Sequence, residues 1–328
     1  MAPGTNGLAI KPCHARSEWP DAVPSTETLI PHGNPDMPAW PISCIQTDAS
    51  LGDIDQNTRT VLDHLEAEAA AGSKLVIFPE CMLTGYGFPS KDVAIEKAIR
   101  RDGAPLDAIA KGCARLRVYS CLGFLERDVE GRIYNTAVLT GPDGHVGWYR
   151  KTHLPWLGVD RWVSPGDGPW QVHDIGGLLV GMIICYDGSF PEAPRALALL
   201  GADLIVLPTN WPEGARTVID HLVTSRAVEN QLYFAACNRT GTESGFRFLG
   251  ESRIVAPDGT FVACSSNDEP TVLRGLVDPV RSRKKHLVRV PGAHEIHRTA
   301  DRRPDLYEIL SNRDIKPGFP PSWTPPRS

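Results

Sequence analysis

The sequence predicts an α/β fold built as one unit. Short β-branched apolar runs alternate with stretches of helical spacing from about residue 40 to residue 277. No Pro/Gly/Ser-rich linker divides the middle of that span. Two segments echo each other: Ala71-Gly-Ser-Lys-Leu-Val-Ile-Phe-Pro-Glu80 and Leu200-Gly-Ala-Asp-Leu-Ile-Val-Leu-Pro-Thr209. Each carries a helix end, a glycine and an apolar strand closed by proline, so Glu80 corresponds to Thr209. The echo hints at two similar halves, each a sheet with covering helices. Chance likeness is the rival explanation, because buried strands draw on few residue types.

Element by element, a first strand is expected at Trp40-Pro-Ile-Ser-Cys-Ile-Gln46. Residues 57–71 have helical spacing and good helix formers, and Gly72 closes them. A buried strand, 75–80, follows. Pro105 suits the first turn of a helix over 105–116. Strands are expected at 117–124 and 133–139, with Pro142-Asp-Gly turning the chain into a hairpin partner at 145–151. The apolar run 178–184 reads as a strand, broken by Gly188 and Pro191 before a helix over 193–200. Strand 203–208, helix 214–229 and strand 232–237 come next, then a hairpin at Pro257-Asp-Gly259 and a last strand at 272–277. Residues 1–40 hold Pro and Gly without periodicity, as in Ile30-Pro-His-Gly-Asn-Pro-Asp-Met-Pro, and are expected to form an extended arm. The body is placed at 41–310 and a tail at 311–328.

Composition narrows the class. The 328 residues are 41% hydrophobic and 22% charged, ordinary for a globular protein, and the formal charge of −5 gives no pull toward nucleic acid or an anionic membrane. No apolar stretch matches a membrane span, and no basic-then-apolar leader opens the sequence. The eight cysteines are scattered, with no C-x-x-C or His/Cys cluster to suggest zinc. Reduced thiols in a cytoplasmic protein are expected. The basic cluster Arg281-Ser-Arg-Lys-Lys-His286 is read as a solvated face or a subunit contact.

Cys185 ends the apolar run 178–184, just ahead of a helix. That placement presents a sulfur at a sheet edge, where helix N-terminal amides are expected to favour the thiolate. A buried core cysteine would occupy the same place, and position alone leaves both open. Glu80 ends another apolar strand; it is either paired there, or desolvated with a raised pKa suited to taking a proton. Lys151 ends the hairpin strand among aromatic neighbours. Its ammonium would stabilise negative charge developing on oxygen, or it snorkels to water. His153 fits a structural hydrogen bonder.

The stretches Phe-Pro-Glu80 with Thr-Gly-Tyr86, Tyr-Arg-Lys151-Thr-His-Leu-Pro, Cys185-Tyr-Asp with Phe-Pro-Glu192, and Leu-Pro-Thr-Asn-Trp211 together resemble the nitrilase superfamily of carbon–nitrogen hydrolases. Asn135-Thr-Ala, Ser225-Arg-Ala-Val-Glu-Asn-Gln231 and Arg302-Arg-Pro-Asp-Leu-Tyr307 add to the likeness, which runs from about Ile42 to about Tyr307. The resemblance implies a four-layer αββα sandwich with Glu80 as general base, Lys151 as oxyanion stabiliser and Cys185 as nucleophile. The Tyr186 backbone N–H would be the second oxyanion donor, and no metal or organic cofactor is implied. Where many relatives carry a second glutamate between the lysine and the cysteine, this chain has none; Asp160, one methylene shorter, is the nearest substitute, or merely caps a turn. Tyr86, Trp156, Asn210 and Trp211, with Trp162, are candidates to line a substrate pocket, or are packing.

The expected activity is an amidase hydrolysing a small-molecule amide to an acid plus ammonia or amine through a thioester. The Tyr-Asp pair after Cys185 looks more like the amidase and carbamoylase branches than the nitrilases. An N-carbamoyl amidohydrolase releasing carbon dioxide and ammonia is the first alternative, then a nitrilase, then an inactive binding protein on the same fold. The resemblance also suggests a homo-oligomer, a dimer or larger.

Overall fold

The computed structural model describes residues 38–312 and 314, so all but the last three residues of the expected arm and most of the expected tail lie outside the described residues. In chain order the strands and helices are β1 (Trp40–Gln46), α1 (Ile54–Ala70), β2 (Leu75–Ile77), α2 (Lys91–Lys97), α3 (Ala104–Leu116), β3 (Tyr119–Arg127), β4 (Ile133–Gly141) and β5 (Gly144–Arg150). The second half holds β6 (Val172–Asp174), β7 (Leu179–Met182), α4 (Glu192–Leu199), β8 (Leu204–Thr209), α5 (Val223–Asn230) and β9 (Tyr233–Asn238). After it come β10 (Thr242–Glu243), β11 (Phe246–Arg247), β12 (Arg253–Val255), β13 (Phe261–Cys264), β14 (Thr271–Val277), α6 (Pro279–Arg283), β15 (His286–Val290) and β16 (His294–His297).

Two six-stranded sheets form the body, in the orders β14-β1-β2-β3-β4-β5 and β13-β12-β9-β8-β7-β6. Strands β1, β2 and β3 run parallel, as do β7, β8 and β9. The period of two along each strand builds the layers. In β1, Ile42 and Cys44 face the core between the sheets while Ile45 faces α1 and α3; in β2, Leu75 and Ile77 face inward and Val76 outward. Val61 and Leu65 of α1, with Leu106, Ile109 and Cys113 of α3, cover that outer face. On the second sheet, Leu197 of α4 and Ala227 of α5 pack onto strands buried on both faces. The result is helix, sheet, sheet, helix, as the resemblance implied, and the echoing strands are β2 and β8, central in their respective sheets.

Most element edges shift by a residue or two from expectation, but several differences are substantive: the short strands β6, β10 and β11 were not expected, and β15 and β16 follow the strand expected to be the last. Helix α2 was not foreseen. It is short and rests on Ser90, whose side chain accepts the Val93 N–H as an N-cap. The helix expected over 214–229 is a 3₁₀ turn, a π turn at Val218–Leu222 and then α5. The basic cluster is not simply a solvated face: Arg283 pairs with Asp203, Arg281 with Asp258, and Lys285 donates to the carbonyls of Asn230 and Gln231. Among the described residues, no helix is long and apolar enough to cross a membrane, and Cys44, Cys81, Cys113, Cys121, Cys185 and Cys237 are free thiols.

Candidate active site

Parallel strands β2, β7 and β8 end on the same side of the sandwich, and β5, antiparallel to β4, ends there too. Side chains immediately beyond those ends therefore converge. Glu80 follows β2, Lys151 follows β5, Cys185 follows β7, and Thr209 closes β8. Glu80 and Lys151 are completely buried and Cys185 is 5% exposed, so the group is almost wholly enclosed by the fold.

Lys151 Nζ lies between two carboxylates, 2.7 Å from Glu80 Oε1 and 2.5 Å from Asp160 Oδ2. Asn135, inside β4, donates to both through one amide nitrogen, at 2.7 Å to Glu80 Oε1 and 2.9 Å to Asp160 Oδ1. The Tyr86 hydroxyl donates to Asp160 Oδ2 at 2.8 Å, and Asp160 itself is set by the 3₁₀ turn Gly158–Arg161. The shorter aspartate side chain thus reaches the lysine because its turn is brought in under Tyr86. Glu80 Oε2 is buried with no hydrogen-bond partner, so one oxygen of that carboxylate is held and the other is unoccupied.

Burial and the charge of Asp160 push the Glu80 carboxyl above the usual glutamate range, against the pull of Lys151. Burial works against the Lys151 ammonium, but Asp160 and Glu80 outweigh it and hold the amine firmly protonated. Burial, then the charge of Glu80, pushes the Cys185 thiol up to about 12, with Lys151, the Thr209 hydroxyl and the Asn210 backbone pulling the other way. This overturns the expected thiolate. The sulfur does not sit on the end of α4, which begins at Glu192; it opens a separate 3₁₀ turn, Cys185–Ser189, in the low-dielectric interior.

Cys185 has φ 44, a left-handed backbone conformation that costs a non-glycine residue about 1–2 kcal/mol. Asp187 holds that turn. Its carboxylate accepts from the Ile184 N–H at 3.0 Å, the Tyr149 hydroxyl at 2.8 Å, the Thr152 hydroxyl at 3.0 Å and the His153 N–H at 2.9 Å. His153 Nδ1 is 2.7 Å from the same group, and the ring stacks on Phe190. His153 is thereby the structural hydrogen bonder expected of it.

The remaining candidates divide. Asn210 is buried with both side-chain polar atoms unpartnered. Tyr86 is buried in the carboxylate network. Trp211 is 3% exposed and packs in the main hydrophobic core, its backbone N–H donating to Asn238 Oδ1. Trp156 and Tyr186 are exposed, and Trp162 packs on a side cluster beneath Arg161. Residues not singled out for the site from sequence include Asn135, Thr209 and Asp187, although all three stand in segments that were.

A fold with paired sheets and a thiol, ammonium and carboxylates at one end is that of hydrolases acting on carbon–nitrogen bonds. Residues 42–286 match the carbon–nitrogen hydrolase family, and the chain belongs to that family, within the nitrilase superfamily. It is therefore a hydrolase of carbon–nitrogen bonds other than peptide bonds. A nitrilase of Pyrococcus abyssi is 32% identical over 81% of this chain and 98% of its own length. An (R)-stereoselective amidase of a Pseudomonas species is 33% identical, covering 70% and 81%. A crystal structure of an amidase from Nesterenkonia sp. matches with a TM-score of 0.71 at 25% identity, covering 83% of this chain and 96% of that one. A variant of that amidase carries the acetamide moiety of fluoroacetamide joined covalently to its active-site cysteine.

Proposed function

We propose that the protein is an amidase that converts a small-molecule amide to its carboxylic acid plus ammonia or amine through a thioester on Cys185. The observation that carries this reading is the division of labour within Glu80: Oε1 is held by Lys151 and Asn135, while Oε2 is buried and unpartnered. A thiol at about 12 is not a standing thiolate, so it needs a base at the moment of attack.

In this mechanism Cys185 Sγ attacks the amide carbon as Glu80 takes the thiol proton. The carbonyl oxygen becomes an oxyanion beside the Lys151 ammonium and the Tyr186 N–H. On collapse the C–N bond breaks and the leaving nitrogen takes the proton from Glu80, leaving a thioester. Water then attacks as Glu80 accepts its proton; the C–S bond breaks, the acid leaves and the thiol is restored. Asp160 keeps Lys151 charged and in place throughout. Asn210, with its amide unfilled, supplies a donor and an acceptor for a polar substituent of the substrate.

The Pyrococcus relative favours one second reading, a nitrilase in which the same thiol adds to a nitrile carbon. An ammonia-release screen over aliphatic amides, aromatic amides, carbamoyl amino acids and nitriles separates them. Release from amides, lost in Cys185→Ala while the melting temperature is kept, is the expected outcome. Turnover of nitriles alone, carbon dioxide release from carbamoyl substrates alone, or hydrolysis surviving in Cys185→Ala would each overturn the amidase reading.

A further inference from the structure

The loop that carries Tyr86 is fastened from a distance. Glu243 of β10 accepts the Tyr86 N–H at 2.9 Å and the Gly87 N–H at 2.6 Å, both on Oε1. Its two oxygens also receive parallel bonds from Arg239, Nη1 to Oε1 and Nη2 to Oε2, each at 2.9 Å. Arg239 is 1% exposed, bonds Asp48 Oδ1 through Nε at 2.7 Å, and lies over the Phe248 ring. The approach is close enough to dictate sequence: Gly85 has φ 80, and a Cβ there would stand 2.9 Å from Glu243 Oε2 and 2.8 Å from Leu51 Cα. From this anchored backbone the Tyr86 ring reaches across to Asp160, and Asp160 reaches Lys151.

We propose that Glu243, clamped by Arg239, is a positioning residue for the reaction: it fixes the Tyr86 backbone so that the Tyr86 hydroxyl holds Asp160 against Lys151. The inference rests on Cys185 being the nucleophile and Lys151 its electrostatic partner. Glu243 reaches the centre only in sequence, Glu243 to Tyr86 to Asp160 to Lys151. A buried, bidentate, charge-assisted pair is a rigid anchor for such a relay, whereas a neutral contact would let the loop drift. A shift of Tyr86 leaves Asp160 short of a donor and lets Lys151 swing toward Glu80, away from the oxyanion and the sulfur.

The test is a double-mutant cycle read through the sulfur rather than through any particular substrate. Glu243→Gln, Tyr86→Phe and the pair would be compared with wild type for the rate of Cys185 alkylation by iodoacetamide across pH, followed by mass spectrometry. If Glu243 acts through Tyr86, each single change slows Cys185 alkylation by roughly tenfold. The two shift its pH midpoint alike, and the double variant loses no more than the worse single one. Glu68→Gln, which removes a charge paired with Arg274 far from the site, controls for general loosening and leaves the rate unchanged. Should Glu243→Gln fail to fold, Arg239→Lys keeps the buried charge but not the parallel pair and takes its place. Wild-type alkylation rates in the Glu243 or Arg239 variant, or losses that multiply in the double variant, would overturn the proposal. Absent labelling of Cys185 in wild type would sink the nucleophile assignment with it. Coupled alkylation losses without ammonia release from any amide would remove the amidase reading alone.

Discussion

Lys151 Nζ is closer to Asp160 Oδ2, at 2.5 Å, than to Glu80 Oε1, at 2.7 Å. Asp160 is thus the lysine's closer partner, and the second oxygen of Glu80 is left without one. Asp160→Asn preserves shape but removes that charge, which leaves Glu80 as the lysine's sole carboxylate. On the proposed mechanism kcat for ammonia release falls by about 100-fold, the scale of a lost acid–base function. Asp160→Glu recovers part of the rate, because it restores charge at the wrong length. A kcat unchanged in Asp160→Asn would reduce Asp160 to a turn cap.

The pH profile follows from the same groups. On the proposed mechanism Glu80 acts as base only when ionised, and burial raises its pKa. The acid limb of kcat/KM therefore lies above the roughly 4.3 of an unperturbed glutamate. Activity is lost as pH falls through that raised value and gained as pH rises above it. The thiol, at about 12, adds no second rise in the neutral range. Rates measured from about pH 4 to pH 10 check both statements; a limb at the ordinary glutamate value argues against Glu80 as the base.

Gly123 in β3 lies against the backbone that carries Glu80. A Cβ on Gly123 would stand 2.4 Å from the Cys81 nitrogen and 2.8 Å from Glu80 Cα, both main-chain atoms that cannot rotate away. Gly123→Ala is expected to destabilise by about 1–3 kcal/mol in denaturant titrations, the range for overpacked interiors. It also lowers kcat, because relief requires Glu80 to move. Full activity at reduced stability would mean that the strand, not Glu80, takes up the strain.

Glu126 offers a stability test away from the chemistry. Burial raises its carboxyl, but hydrogen bonds from Arg150 and Thr136 and the charge of Arg101 win, and the net shift is downward. A lowered folded-state pKa adds stability above the unfolded value of about 4.3, and that stability disappears as pH falls through the folded value. Glu126→Gln is therefore less stable than wild type by about 2 kcal/mol near neutrality, the scale for hydrogen bonds to a charged group. The gap closes as pH falls through the lowered folded-state value. A gap independent of pH would point to packing instead.

Much of this architecture is legible in the sequence because the signals are local. The apolar strand leading into Pro79-Glu80, the strand closing at Pro208-Thr209, and the turns at Pro142-Asp-Gly and Pro257-Asp-Gly fall close to where expected, although β2 already ends at Ile77. The group around Lys151 was legible only through motif likeness, since its members meet at strand ends far apart in the chain. What could not be read is pairing. Asn135 looks like any residue of a buried strand, yet it bonds both carboxylates. Glu243 sits in a short hairpin, and nothing local ties it to Tyr86. The thiol's protonation was misjudged for a related reason: strand-to-helix placement suggested nearby amides, whereas the balance is set by enclosure, which only the packed core reveals.

Asp187 has a consequence for how the molecule fails. Its carboxylate is the knot between Tyr149, Thr152 and His153 at the end of one sheet and Ile184 at the end of the other. The ammonium belongs to the first layer and the sulfur to the second. A slip between the layers therefore draws them apart before either ladder has lost a rung, so on the proposed mechanism catalysis gauges how well the two leaves of the sandwich are aligned.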